Sequence, residues 1–300
     1  MGAWGVGLYS GDFAQDLRGM AKSVARLPFA PDKLLELLCA ASPVSADDTG
    51  DEDHTVFWLV VADQFAKRGI ECPAARERAL GIIADGSDLK MMESLRMDAS
   101  GLARRRVMLD ELRGRLAAPI VGDKPRPTLK APQKLLLTPG DAVIYPVCKR
   151  EPINPYAAGK DLPFVKAWRQ DGWGAFVIAE CGHVFEFLAW YRPFVITEPF
   201  TDQPSLDDLL AARCWLLRNP GTLSARHLAN MELRRLCAVP LEAAKFDRLF
   251  PERASPVRRA VIDISLANQI TVYDVGPHEE YRISHGYSPT PRINELSEIS

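Results

Sequence analysis

The chain has few cysteines, no long apolar run and almost no net charge, and each shortage excludes a class of protein. Six cysteines in 300 residues, none in a Cys-x-x-Cys spacing, are too few for a disulfide scaffold. The 37 basic and 39 acidic side chains leave a formal charge of -2. That balance argues against a surface of one sign built to grip nucleic acid or anionic lipid. We therefore expect reduced thiols and a globular protein.

Membrane and secretion signals are equally scarce. The longest apolar run, Val56 to Ala62, is far shorter than the roughly 20 residues that span a bilayer. The first residues carry neither a basic region nor an apolar core of the secretory type. These features predict no membrane partner and a cytoplasmic location, while 47% hydrophobic residues suffice for a sizeable core.

The first 118 residues follow a helical period. Asp12 followed by Gln15 is typical of a capping box, which predicts that Asp12 caps a first helix. Pro31 suits the first position of a second helix. A third helix over 53–67 is apolar almost all round and is expected to end at Gly69. Further helices are predicted over residues 74–84, 88–95 and 100–116.

Beyond a proline-rich segment at 119–134, the period changes to two. Strands are predicted over residues 135–137, 142–147, 164–168, 173–179 and 184–189, with a hairpin turn at Cys181–Gly182. Helices are predicted over 206–217, 224–237 and 241–250, and a β-prone run over 260–275.

The fold class predicted is α+β, an N-terminal all-helical domain followed by an antiparallel β-rich domain with appended helices. The predicted boundaries are a helical domain (1–118), a Pro-rich linker (119–134), a β-rich domain (135–287) and a tail expected to be disordered (288–300).

The opening GAWGVGLYSGDFAQD resembles the start of a bacterial family of unknown function, whose members begin G-A-W-G-x-G-x-F-x-N-D-x-A-x-D. The matching positions are Trp4, Gly5, Gly7, Asp12, Ala14 and Asp16, whereas Tyr9 and Gly11 replace the usual Phe and Asn. The likeness continues through TVFWLVVADQFAKRG and RRRVMLDELRGRL and so covers most of residues 2–118.

A second, shorter resemblance follows the linker. PGDAVIYP is similar to the G-D-V-F-A-x-P opening of small β-rich domains classed among immunity proteins of bacterial polymorphic-toxin systems. DGWGAFVI and FEFLAWYRP fit the strand order of those domains. Together the resemblances imply a bacterial cytoplasmic protein that binds and neutralises a toxin.

Two groups of carboxylates near the N-terminus allow more than one interpretation. Asp12 and Asp16 lie one helical turn apart and could form a small cation or metal site, but we favour Asp12 as a cap and Trp4 as a plug over the core. The acidic run at 47–53 lacks the spacing of an EF-hand loop. We interpret it as a solvated loop at the positive end of the third helix.

Catalytic and metal-binding spacings are scarce. Cys181 and His183 are a close Cys/His pair with Glu186 nearby, and they would activate a thiolate only if both side chains shared one face. Because Gly182 suggests a turn, we favour a hairpin corner. The other histidines have no metal-ligand spacing, so no metal and no cofactor are predicted.

Aromatic residues are concentrated in one segment. Ten of the 25 lie between Phe164 and Phe200, and strand alternation then makes both faces of the sheet apolar. We expect helices to cover one face. The best contact residues for a partner are expected to be Trp168, Asp171, Trp173, Trp190 and Tyr191.

Charge is unevenly distributed. Residues 1–53 carry nine acidic and four basic side chains, whereas residues 101–150 carry eleven basic and four acidic ones. Arg104, Arg105 and Arg106 cannot form one helical stripe, so we interpret them as a solvated surface.

The function predicted is that of a non-enzymatic, immunity-like protein that binds and occludes a protein partner. The alternatives are a hydrolase or transferase using Cys181 and His183 with Asp141 or Glu186, and an RNA-associated regulator.

Overall fold

The chain folds into two compact units, Met1–Ala131 and Pro132–Ser300. The division falls inside the segment predicted as a linker. The computed structural model describes residues 5–118, 126–153, 162–218, 220–251, 286–287 and 289–298. Helices occupy the N-terminal unit and an antiparallel sheet the C-terminal unit, so the predicted α+β class is confirmed.

Unit 1, as Met1–Ala131 is called below, is helical. Its helices are α1 (Asp12–Val24), α2 (Pro31–Ala41), α3 (Pro43–Asp47), α4 (His54–Ala66), α5 (Pro73–Asp85), α6 (Ser87–Ser94) and α7 (Ala99–Ala117). Proline occupies the first position of α2, α3 and α5, where its missing N–H costs no helical hydrogen bond. The short α3 is absent from the sequence-based prediction.

Helix α4 is the centre of unit 1. It packs against α1, α3, α5, α6 and α7 and is buried on nearly every side. Its C-terminal end is closed by Gly69 at φ +66, with the Ile70 N–H donating to the Phe65 carbonyl at 3.0 Å and the Gly69 N–H to the Ala66 carbonyl at 3.1 Å. The predicted role of Gly69 is thereby confirmed.

The prediction that Asp12 caps α1 is wrong. Gly11 is the N-cap residue, Asp12 is the first residue of the helix, and no side chain caps it. The extended backbone of Gly11 places its carbonyl to accept the Gln15 N–H at 3.1 Å, so the backbone alone starts the helix. Asp12 still lies at the positive end of the helix dipole.

Unit 2, as Pro132–Ser300 is called below, is built on a sheet. The strands are β1 (Asp141–Cys148), β2 (Glu151–Pro152), β3 (Gly172–Val184), β4 (Leu188–Ile196), β5 (Cys214–Leu217), β6 (Arg234–Ala238) and β7 (Gly286–Tyr287). The order is β2-β1-β3-β4-β5-β7, β6 also pairs with β1, and all these pairings are antiparallel. The helices are α8 (Leu162–Ala167), α9 (Leu206–Ala211), α10 (Ala225–Asn230), α11 (Ala243–Leu249) and a 3-10 helix (Ile293–Leu296).

The predicted hairpin turn at Cys181–Gly182 is wrong. Both residues lie inside β3, paired with Tyr191 and Trp190 of β4. The chain turns at 185–187 instead, where Phe185 and Glu186 have φ of 49 and 64. Left-handed backbone conformations are most common at glycine, so the sequence pointed to Gly182 as the turn residue. Two residues other than glycine adopt that conformation here and form the turn.

Other predicted elements of unit 2 also need correction. The predicted strand at 164–168 falls largely in α8, and 135–137 forms no strand. The helix predicted over 206–217 is α9 followed by β5, and that over 224–237 is α10 followed by β6. Short apolar runs such as Cys214–Leu217 fit either a buried strand or a buried helix turn, so periodicity alone misassigned them.

Both faces of the sheet are apolar and covered. Side chains of α9, α11 and the 3-10 helix pack on one face, including Leu209, Phe246 and Ile293, while Leu223 and Met231 are among those packed on the other.

The expected disordered tail is wrong for residues 289–298, because Ile293 and Leu296 are fully buried. The β-prone run predicted at 260–275 lies outside the described residues. Within the described part of the chain, no helix is both long and apolar enough to cross a bilayer.

Candidate functional site

A pocket of about 230 Å³ opens in unit 1 beside the opening segment of the chain. Its walls come from residues between Gly5 and Ala14, from the loop and first turn of α4 at 52–56, from Met92 and Leu95, and from Arg105 of α7. Ligand pockets for drug-sized molecules measure roughly 300–1,000 Å³. The pocket therefore suits one small group better than a nucleotide or a large cofactor.

Arg105 fixes the wall formed by the opening segment. Its Nε and Nη2 donate to the two carboxylate oxygens of Asp88, each at 2.9 Å, and both side chains are buried. Thr55 Oγ1 donates to the same carboxylate at 3.3 Å. The remaining Nη1 of Arg105 donates to the carbonyls of Val6 and Gly7 at 3.3 and 3.1 Å. The interpretation of Arg105 as solvated surface is wrong, because its charge is paired inside the fold.

A second cluster joins Tyr9 to the buried Asp63 and Gln64 of α4. The Tyr9 hydroxyl donates to the Asp63 carboxylate, which also accepts from Lys67 Nζ at 2.6 Å and Arg115 Nη2 at 3.0 Å. Burial acts to raise the pKa of Asp63, but the hydrogen bonds from Lys67, Tyr9 and Arg115 outweigh it and lower that pKa. Gln64 Nε2 donates to the Tyr9 hydroxyl. The opening segment is thus attached at two points, Arg105 and Tyr9.

Burial separates the lining of the pocket into an inner and an outer part. We call the apolar lining the apolar wall; it consists of Leu8, Ala14 and Met92, which are buried, and Phe13, Val56 and Leu95, which are half-buried. We call the acidic lining the rim carboxylates; it consists of Asp12, which is exposed, and Glu52 and Asp53, which are half-buried. Apart from Arg105, which is paired with Asp88, the buried lining is apolar, and the more exposed lining is acidic.

The rim carboxylates carry uncompensated charge. Among the described residues, no lysine or arginine forms an ion pair with Asp12, Glu52 or Asp53, and Asp88 already neutralises Arg105. Burial, followed by the neighbouring Asp51 and Glu52, raises the pKa of Asp53 to about 6. The site therefore has a strong electrostatic preference for positive charge.

Not every residue of the opening motif lies at the pocket. Gly5, Gly7 and Asp12 line it, whereas Asp16 does not; partial burial and the nearby Asp12 raise the Asp16 pKa. Trp4 lies outside the described residues. Glu52 and Asp53 of the acidic run lie half-buried in the loop before α4 and line the pocket. Within the described ranges, no three His, Cys, Asp or Glu side chains lie close enough to hold a metal ion.

The predicted Cys/His pair of unit 2 lies on one strand but makes no thiolate–imidazole contact. His183 Nε2 lies 2.6 Å from the Gln133 carbonyl, and no hydrogen bond joins it to Cys181 in the described structure. Burial, with Asp141 and Glu180 nearby, raises the pKa of the Cys181 thiol. Asp141 itself is engaged by Arg235 Nε at 2.6 Å and by the Thr138 N–H at 2.7 Å.

Glu186 does not complete such a site either. It is exposed in the β3–β4 turn, and no ion pair involves it among the residues described. A catalytic thiol needs a base that shares its proton and a third group that orients the base. The described geometry supplies neither to Cys181.

The predicted contact residues of unit 2 do not form one patch. Trp168 donates to the Glu151 carbonyl at 3.3 Å, and Asp171 accepts the Lys149 N–H at 2.8 Å. Trp173 lies at the start of β3, whereas Trp190 pairs with Gly182, nine residues further along that strand and so about 30 Å away.

Tyr191 is not available for contact. It is fully buried, and its hydroxyl accepts the Leu136 N–H at 2.8 Å. The prediction that it belongs to a contact surface is wrong, because the alternation of β4 turns it into the core between the sheet and the segment before β1.

Some of the basic side chains at 101–150 are also neutralised locally. Arg105, Arg113 and Arg115 are each paired with an aspartate within unit 1. Paired guanidinium groups contribute little to a phosphate-binding surface.

Sequence reasoning missed the Asp88–Arg105 pair and the position of Glu52 and Asp53. Asp63 and Gln64 were the available signal for the Tyr9 cluster, since two polar residues inside an otherwise apolar helix need buried partners.

Comparison of the chain with known protein families, with curated proteins and with solved structures finds no match.

Proposed function

We propose that this protein is a non-enzymatic interaction protein that binds and occludes a protein partner, with the pocket of unit 1 as its contact site. The observation that carries the proposal is the set of rim carboxylates without a cationic partner in the described structure. Charge left uncompensated on a folded surface steers and selects a partner of opposite charge.

Two further observations support it. The opening segment is held by the buried Arg105 and by the hydrogen bond of Tyr9 to Asp63, so the pocket wall is preorganised and binding costs little ordering entropy. The resemblances to the family of unknown function and to toxin immunity proteins favour the same class, and the immunity role and bacterial cytoplasmic location are part of the proposal.

Growth protection tests this function. The chain is co-expressed with the polypeptide encoded by the adjacent gene, and the affinity of the purified pair is measured. We expect wild type to restore growth and to form a stoichiometric complex. The double variant Glu52→Gln/Asp53→Asn should bind at least tenfold more weakly because it removes two of the three rim charges.

The matched control is Asp47→Asn. Asp47 is exposed on α3 and belongs to the same acidic run but does not line the pocket. It should leave affinity and protection unchanged. Absence of protection by wild type, or equal weakening by the control and the double variant, would contradict the proposed function.

A further inference from the structure

The difference in burial between the apolar wall and the rim carboxylates constrains how a ligand is oriented in the pocket. Leu8, Ala14 and Met92 are buried, and the rim carboxylates are more exposed to solvent. A ligand that satisfies both parts places an apolar body against the apolar wall and a positive charge at the rim. The reverse arrangement would bury a charge beside Met92 without a counter-ion, which is costly.

The spread of the rim carboxylates constrains the kind of cation. Divalent metal ions need several oxygen ligands within about 2.0–2.6 Å, and the described residues bring no three suitable side chains that close. Carboxylates beside an apolar surface instead suit an organic cation, whose charged group stays hydrated at the rim while its apolar part enters the pocket. The volume of about 230 Å³ limits its apolar body to a single small group.

We propose that the pocket of unit 1 binds an ammonium group carried on a short apolar body, with the ammonium at Asp12, Glu52 and Asp53 and the body against the apolar wall. This deepens the proposed function, on which it rests, by naming the chemistry that the partner presents. The partner supplies an apolar side chain next to a positively charged group.

Binding of n-hexylamine to the full chain, measured by calorimetry, tests the proposal. Two probes of similar size separate the contributions: 1-hexanol keeps the apolar body without charge, and hexanoate reverses the charge. We expect hexylamine to bind at least tenfold more tightly than hexanol and hexanoate to show no binding. A ranking in which hexanol equals hexylamine would overturn the proposal, as would absence of hexylamine binding.

Two variants assign the binding to the pocket. Glu52→Gln/Asp53→Asn should weaken hexylamine at least tenfold and leave hexanol unchanged, because only the charge contact is lost. Val56→Phe, at a half-buried position of the apolar wall, should weaken both probes by filling the cavity. Asp47→Asn should change neither. Retention of hexylamine affinity in both pocket variants would place its site elsewhere and overturn the proposal.

Competition separates failure of this inference from failure of the proposed function. If the partner inserts the cation, saturating hexylamine should weaken the complex with the partner at least tenfold. If hexylamine binds the pocket but leaves that complex intact, the pocket takes free amines, and the assignment of the pocket as the contact site for the partner is overturned.

Discussion

At the scale of single residues, the pocket depends on the ion pair of Arg105 and Asp88. Both side chains are buried, and the guanidinium also holds the carbonyls of Val6 and Gly7. Removing one partner of a buried pair leaves the other charge without compensation, which typically costs about 3–5 kcal/mol. Both partners of the pair are therefore needed for the stability of the fold, even if an apolar pair in their place would be equally stable.

We expect Arg105→Ala to lower the free energy of unfolding by about 3–5 kcal/mol, measured by urea denaturation. Arg104→Ala is the matched control, since Arg104 is adjacent on α7 but exposed, and it should change stability by less than about 0.5 kcal/mol. Similar losses in the two variants would mean that Arg105 is not buried with its charge paired.

Asp53 makes the stability of the protein depend on pH. Its pKa in the folded chain is about 6, raised by burial and by Asp51 and Glu52. The folded state therefore binds the proton more tightly than the unfolded state, and this group lowers stability as the pH rises from about 4 to 6. Above that window its unfavourable contribution is constant.

Asp53→Asn should thus be more stable than wild type at pH 7.5, by up to about 1 kcal/mol for this partly exposed group, and lose most of that advantage at pH 4. Denaturation of both proteins at the two pH values measures the difference. An advantage that is the same at both pH values would show that the carboxylate is not perturbed by its surroundings.

At the scale of the elements, β1 and β3 approach closely at Gly174. A Cβ at this position would lie 2.3–2.6 Å from side-chain atoms of Tyr145, which is fully buried. The ring cannot move away without displacing its neighbours in a close-packed core. Glycine is therefore required here by packing, not by backbone conformation.

We expect Gly174→Ala to cost at least about 1–3 kcal/mol of stability through overpacking. Gly81→Ala is the contrasting control: Gly81 lies exposed within α5, nothing lies near its would-be Cβ, and the change should add about 0.5–1 kcal/mol. Thermal unfolding of the two variants gives the comparison. A neutral Gly174→Ala would mean that β1 and β3 are further apart than the structure places them.

The elements also show what sequence reasoning can and cannot reach. The longer helices of unit 1 were predicted because their apolar periodicity and end signals, such as Pro31 and Gly69, are local. The β3–β4 turn was misplaced because its residues adopt positive φ without glycine. The short strand Cys214–Leu217 was misassigned because its environment, between β4 and β7, is set by distant residues.

The candidate site was reached only in part for the same reason. Gly5, Gly7 and Asp12 were singled out as a motif, but Arg105 reaches the opening segment from nearly 100 residues away. No spacing rule connects positions that far apart, so their pairing is a property of the assembled helices.

At the scale of the whole molecule, the segment after α7 matters to unit 1. Arg126 Nη2 donates to the carbonyls of Leu27 and Phe29 at 3.1 and 2.8 Å, and the Leu129 N–H donates to the Arg26 carbonyl at 2.8 Å. These contacts join the loop between α1 and α2 to residues that the sequence assigned to a linker.

We expect a chain ending at residue 131 to be more stable than one ending at residue 118 by about 1–3 kcal/mol, because the shorter chain loses these hydrogen bonds. Urea denaturation of the two chains measures the difference. Equal stability would show that the hydrogen bonds of residues 126–131 add nothing to the free energy of unfolding of unit 1.

The buried 3-10 helix Ile293–Leu296 has a consequence for how the protein is made. Its side chains complete the core on one face of a sheet whose first strand begins at Asp141. A ribosome adding roughly 5–20 residues per second takes on the order of 10–30 seconds between these two points. Unit 1 has its whole core, and its pocket, available throughout that interval, whereas the sheet of unit 2 emerges with an apolar face still uncovered. During synthesis, unit 2 is therefore the part most exposed to chaperones and to aggregation.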